Sequence, residues 1–187
     1  LAALKLSDIV IRHNDAAAGK DFTLELVEIT GSALDHEPMT LQVQASIQQT
    51  PYRLDATAGS LADLFSRGSP WPLEIRIESL GSSLQLTGEI VEPLRGRGLT
   101  VDFALVGRSL ADVGELLGAE LQPIKPLTLA GRIEDEAGRY RATDVRGEIG
   151  TTVIEADFEA DLSREVPRVS GNLQIRSIDV GPILAAV

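Results

Sequence analysis

Two histidines, 28 acidic residues and no cysteine set the chemical repertoire of this 187-residue chain. The histidines, His13 and His36, each fall in or beside a polar loop. Asp35, His36 and Glu37 together could approach a cation. Transition-metal sites draw mainly on imidazole and thiolate ligands, and one imidazole between two acids on a turn reads as solvated surface. Acids also recur beside serines: Asp63 follows Ser60, Asp112 follows Ser109 and Asp179 follows Ser177. A serine nucleophile needs a histidine base and an orienting acid, and no Gly-x-Ser-x-Gly elbow marks one here. The first turn of a helix, by contrast, has free N–H groups that a serine hydroxyl satisfies and an acid complements. The spacing therefore predicts N-caps at Ser60 and Ser109 rather than nucleophiles. The sequence holds no Walker or Rossmann glycine pattern. No catalytic residue, metal ligand or cofactor is assigned, and the chain reads as a non-enzyme.

Composition narrows the partners. The net charge of −11 argues against nucleic acid, because phosphate binding needs clustered Lys and Arg. Arg95 and Arg97 share one turn and are too few to form a patch. The absence of cysteine excludes disulfides and thiolate sites and is compatible with cytosol or periplasm. The apolar runs are far shorter than the roughly 20 residues that span a bilayer as a helix. The sequence starts inside a strand-like pattern without an initiating Met, so it is expected to be a piece of a longer protein, with any membrane anchor outside it.

The elements are legible from periodicity. In the stretch 81–118, Leu84, Leu86, Gly88 and Ile90 alternate with Gln85, Thr87 and Glu89. A turn at 93–98 follows, and then Leu99, Val101, Phe103 and Leu105 alternate with Thr100, Asp102 and Ala104. Two period-2 runs around a Pro/Gly/Arg turn predict an antiparallel hairpin with one greasy face. Ser109 to Asp112 then opens a short helix, with Leu110, Val113, Leu116 and Leu117 on one side, that Gly118 stops. Gly81-Ser82-Ser83-Leu84 returns as Gly150-Thr151-Thr152-Val153, and Ser177-Ile178-Asp179 echoes the helix start. One supersecondary unit is thus read twice, at approximately 81–118 and 150–186, within a single β-rich segment 1–187.

The other strands follow the same rule. They are expected at 4–12, where the alternation slips around Asp8 and Ile9 and hints at a bulge, then at 21–30, 40–48, 52–58 and 73–78, and later at 127–133, 140–147, 151–162 and 168–176. Short helices are expected after Ser60 and over 179–186. Trp71, between Pro70 and Pro72, is read as a loop residue closing the end of the sheet, with an interfacial anchor as the other reading.

About ten or eleven strands with an apolar stripe and so few helices pose one problem: the stripe must be hidden. It can close into a barrel, fold into a sandwich or bend into a trough that holds something apolar. At 43% hydrophobic but 4% aromatic, the stripe is aliphatic. Ala45, Ala56, Ala58, Gly88, Gly131 and Gly171 would leave space in a self-packed core, which leans to a trough. Glycine inside strands also serves bulges and sharp bends.

The order of local patterns resembles a known family. It runs Leu4-x-Leu6-x-Asp8-Ile9; Tyr52-x-Leu54 leading into Gly59-Ser60-Leu61; Gly81-x-x-Leu84-x-Leu86-x-Gly88; and Gly107-x-Ser109-Leu110. It continues with a Pro-rich approach at 122–126 into Leu129-x-Gly131, a Tyr140 strand ending Gly147-x-Ile149-Gly150, and Pro167-x-Val169-x-Gly171-x-Leu173. Together these cover nearly the whole chain and look like the AsmA family, the TamB-related envelope proteins of Gram-negative bacteria. The resemblance implies a mainly β fold: a bent or groove-like antiparallel sheet of repeated strand pairs with two or three short helices. It implies a periplasmic segment of an inner-membrane-anchored protein involved in phospholipid transport between inner and outer membrane and in outer-membrane integrity. Phospholipid acyl chains would be the partner, shielded on the aliphatic face formed by Leu84, Leu86, Ile90, Leu99, Val101, Phe103, Leu105, Leu127, Leu129 and Ile133. The alternative is a non-catalytic structural or protein-interaction β module of the cell envelope, whose edges or acidic outer face meet envelope proteins.

Overall fold

The computed structural model describes residues 3–15, 20–34, 36–66, 69–112, 121–136, 138–162 and 168–176. Eleven strands form one sheet in strict sequence order, each antiparallel to the next. They are β1 (Ala3–Asp15), β2 (Lys20–Ser32), β3 (Met39–Ile47), β4 (Thr50–Ala58), β5 (Trp71–Ser79) and β6 (Ser82–Glu92). Then come β7 (Arg97–Gly107), β8 (Leu127–Glu136), β9 (Arg139–Ile149), β10 (Thr152–Asp161) and β11 (Arg168–Ile175). β1 and β11 each pair on one side only, so the sheet is open: neither barrel nor sandwich is formed. The predicted mainly β antiparallel fold is present.

The turns explain the meander. At Gln48 and Gln49, and again at Leu80 and Gly81, both central residues have positive φ. That is the two-residue hairpin turn whose twist suits right-handed strands. The expected turn between β6 and β7 is a single 3-10 turn, Pro93–Arg95, closed by Gly96 at φ 62°. Helix α1 (Leu61–Leu64) fills the gap between β4 and β5, and a second helix begins at Leu110. The remainder of that second helix, and the expected helix at 179–186, lie outside the described residues.

Bulges keep the faces consistent. Asp8, at φ 59°, interrupts β1 where the sequence slips. Ser7 still opposes Glu28 and Ile9 opposes Leu26, so Leu4, Leu6, Ile9 and Ile11 share one face. β2 carries a matching slip at Val27, and β9 another near Asp144. Without them every residue beyond would change sides.

Packing is that of a single layer. Among the described residues the buried hydrophobics are Trp71, Val101, Leu127, Val145 and Ala156, spread from β5 to β10, and no large side chain is completely buried. The accessible surface is 12713 Å², against about 8,700 Å² for a compact chain of this mass. One hollow on the sheet's apolar side is lined by residues from β1 through β5 and by Leu61 of α1. Inner-face Gly88 also lies so close to β7 that an added Cβ would collide with the Thr100 carbonyl oxygen, a kink of the kind that curves sheets.

Candidate functional site

The site is the inner face itself. Because directly opposed residues point to the same side of a sheet, the register can be followed across the molecule. Leu6 opposes Ile29, which opposes Val43, then Leu54, Ile77, Leu84, Leu105 and Leu129. The row continues through Gly147 to Ile154 and Ile175. Ten aliphatic side chains and one glycine thus form an unbroken track through all eleven strands, roughly 48 Å long at the usual strand spacing.

The residues singled out in the sequence sit in the middle of this face. Leu84, Leu86 and Ile90 lie on β6, opposite Leu105, Phe103 and Leu99 of β7. Val101 and Leu105 oppose Ile133 and Leu129 of β8, and Leu127 opposes Gly107. Val101 and Leu127 are buried; the others are half-buried. Their sequence neighbours Gln85, Thr87, Glu89, Asp102 and Ala104 are exposed on the other side. Towards the ends the stripe opens to solvent: Leu4 and Leu6 on β1, and Val169, Leu173 and Ile175 on β11, are exposed.

The outer face is a lattice of ions. Lys5 pairs with Glu28 at 2.7 Å, Arg53 with Asp55 at 2.9 Å, Arg76 with Glu78 at 2.6 Å and Arg176 with Glu155 at 2.8 Å. Arg132 grips Asp102 with two hydrogen bonds, at 2.8 and 3.1 Å. That hydrogen bonding holds the Asp102 carboxyl below the usual carboxylate range. These pairs are exposed and each adds little stability, but they keep this face wetted while the other stays apolar.

Two expectations about small residues need correction. Gly131 and Gly171 do not leave open space. The Phe103 ring lies over Gly131, 3.0 Å from where a Cβ would stand, and Phe158 does the same at Gly171, 2.6 Å away. Aromatic cover fills the Gly131 site, ring and β10 backbone together fill the Gly171 site, and at Gly88 the β7 backbone does. Real space lies elsewhere on the face. A hollow of about 410 Å³ is floored by Gly31, Ala56 and Ala58 and walled by Leu4, Met39, Leu41, Leu61 and Trp71. Ala56 and Ala58 were legible as small inner residues, whereas Gly31 was read as the start of a loop and is the penultimate residue of β2.

Trp71 opens β5 rather than ending a loop, and it closes this hollow. Its indole rests against Gly59, and its Nε1–H donates to the Ser60 carbonyl oxygen at 3.2 Å. The Ser60 hydroxyl accepts from the Asp63 N–H at 3.1 Å and donates to the Asp63 carboxylate at 2.7 Å. Ser109 likewise accepts from the Asp112 N–H at 3.2 Å. Both serines are buried N-caps, as their spacing predicts. Asp179, Asp35 and the side chain of His13 lie outside the described residues; His36 is exposed. No group of three or more metal-ligating side chains occurs among the described residues, and no described helix is long and apolar enough to cross a membrane.

Over 176 residues the chain is 23% identical to the AsmA family protein YhjG of Escherichia coli (strain K12). The match covers 86% of this chain and 26% of that protein, so the chain spans about a quarter of this curated relative's length. At that identity the likeness is distant; it supports the AsmA-like reading of the motifs. No family model matches the chain, and no solved structure does.

Proposed function

We propose that this chain is a β-rich segment of an AsmA-like envelope protein that shields phospholipid acyl chains on its aliphatic face during transport between inner and outer membrane. The carrying observation is the uncovered apolar row through all eleven strands. A contiguous apolar patch well beyond a few hundred Å² marks an interaction surface. An acyl chain fits such a surface because it offers only area to bury, at roughly 25 cal/mol per Å². It needs no specific contact, so it slides along the row. The segment is non-catalytic and periplasmic in this reading, anchored to the inner membrane by sequence beyond it. Its role is outer-membrane integrity.

The test puts a charge into the row. In cells relying on the full-length protein alone, Leu86→Glu and Val101→Glu should abolish barrier function, because an unpaired charge is costly to desolvate on an apolar path. Leu86→Ala should be nearly neutral, and the outer-face change Gln85→Glu should be silent. Protein levels are checked by blotting. Normal barrier function with well-expressed inner-face Glu variants overturns the reading.

One observation favours a second, structural reading. All eight residues of β11 are exposed, and its free edge carries no proline or lysine to discourage pairing. A neighbouring strand of an envelope protein could add there. Hydrogen exchange of the β11 amides, slow in the full assembly and fast in the isolated segment, would support that reading.

A further inference from the structure

We infer that the hollow beneath Trp71 is a seat for one alkyl chain, held by apolar contact alone, that ignores the headgroup. This rests on the acyl-shielding reading and gives it a place and a selectivity. Among the described residues the lining contains no charged side chain. Its polar side chains are Ser32 and Thr40, whose hydroxyls lie 2.9 Å apart in the outer-face row with Thr57, and Trp71, whose N–H is held by Ser60. The described lining therefore offers a phosphate or an amine no ionic partner. The other sizeable hollows differ on this point. One near Phe65 and Leu94 includes the Glu92–Arg95 ion pair, and one near Tyr52 includes Arg53, Arg76 and Glu78.

Size admits an alkyl chain. A cavity of about 150 Å³ holds a benzene, and the hollow's volume of about 410 Å³ is well above that. Affinity should rise about two- to fourfold per added methylene, because each buries a similar area.

Trp71 is the chain's single tryptophan, and its indole is fixed in the wall, so it reports occupancy directly. The experiment titrates the purified chain with 9,10-dibromostearic acid and with a lysophosphatidylcholine bearing the same brominated chain, both below their micelle thresholds. Bromine quenches indole fluorescence on contact. The expected result is saturable quenching by both probes with affinities within about threefold, and competition by unbrominated fatty acids that strengthens with chain length. Ala56→Phe, which projects a ring into the hollow, should weaken quenching at least tenfold, while Thr87→Phe on the outer face of β6 should not. Ala58→Leu serves if Ala56→Phe does not fold, with circular dichroism as the check.

Absent quenching at saturating probe, quenching that survives filling the hollow, or a preference above tenfold for one headgroup each overturns the inference. The two readings fail separately. If inner-face Glu variants abolish barrier function but Trp71 is not quenched, the seat falls and the track stands. If those variants keep barrier function while Trp71 is quenched and Ala56→Phe prevents it, the seat stands and transport falls.

Discussion

Replacing Gly88 with alanine tests whether the sheet is kinked towards its apolar face. Gly88 pairs with Val101 at the centre of the sheet. A Cβ at Gly88 would stand 2.7 Å from Val101 Cα and 2.9 Å from the Thr100 carbonyl carbon, and would overlap the Thr100 oxygen. All three are backbone atoms of β7, so no side-chain rotation relieves the clash. β6 and β7 would have to part, loosening the pairs on either side, Leu86 with Phe103 and Ile90 with Leu99. Overpacking of this kind costs typically about 1–3 kcal/mol, and a backbone collision belongs at the upper end. Alanine recovers about 0.5–1 kcal/mol of the glycine's conformational penalty. The net loss is about 2 kcal/mol, which for a chain of this length lowers the melting midpoint by about 4–8 °C.

Gly96 is the matched control. It has φ 62° and nothing within 4 Å of an added Cβ. Gly96→Ala therefore meets only the left-handed backbone penalty of about 1 kcal/mol. Thermal melts followed by circular dichroism at one protein concentration compare the two. A Gly88→Ala midpoint within about 1 °C of the parent, or no lower than that of Gly96→Ala, would refute the close approach of β6 and β7 and with it the kink.

Three further outcomes are expected. Ser60→Ala should cost about 1 kcal/mol of stability, read in a urea melt, and Ser60 in the parent should not react with a fluorophosphonate. Phe103→Ala should destabilise by about 2–3 kcal/mol and more than Phe158→Ala, because Phe158 is already 41% exposed and buried aromatic truncations cost about 3–5 kcal/mol. Asp102 has a folded pKa below its unfolded value, so its contribution is present above the ordinary carboxylate pKa and lost as pH falls through the depressed one. The gap in urea midpoint between parent and Asp102→Asn should therefore be largest near neutrality and close in strong acid.

Strand existence and facing were legible because each strand announces itself by period-2 alternation, and a one-residue error would expose the whole stripe; the strict sequential order of all eleven strands was not, because alternation does not say which strands are neighbours. The slip at Asp8 was visible for the same reason. The companion slip at Val27 was equally present, since the apolar positions jump from Leu24 and Leu26 to Ile29, but it takes the pairing with β3 to give it meaning. Which way the sheet would hide its stripe was not legible, because barrel, sandwich and trough need the same alternation. The glycines misled for a related reason. A missing side chain is equally a gap, a kink or a seat for a ring, and only the opposed strand decides: Phe103 covers Gly131, whereas at Gly31 the β3 backbone comes close and the glycine lines the hollow. Trp71 looked like punctuation between prolines. Its place as a wall depends on Gly59 and Ser60, eleven or more residues earlier.

A single-layer sheet with one ionic face and one aliphatic face is stable only while something keeps water from the aliphatic side. The chain meets part of that need itself. Val101 and Leu127 on the central stripe are nearly dry, and Phe103, Phe158 and Trp71 lie over three of the glycines. The covering weakens outwards, to Leu4 and Leu6 at one edge and Val169, Leu173 and Ile175 at the other. A closed core would show the reverse, with apolar residues retreating from its rim. An apolar row that runs off both edges of the sheet is instead what a track requires, because a mobile apolar chain must leave one strand for the next without crossing water. The same geometry explains why charge is kept out of the row: a lysine or glutamate anywhere in it would interrupt the path, and none occurs from Leu6 to Ile175, whereas Glu92, Arg97 and Asp135, on the same side by register, stand at strand ends.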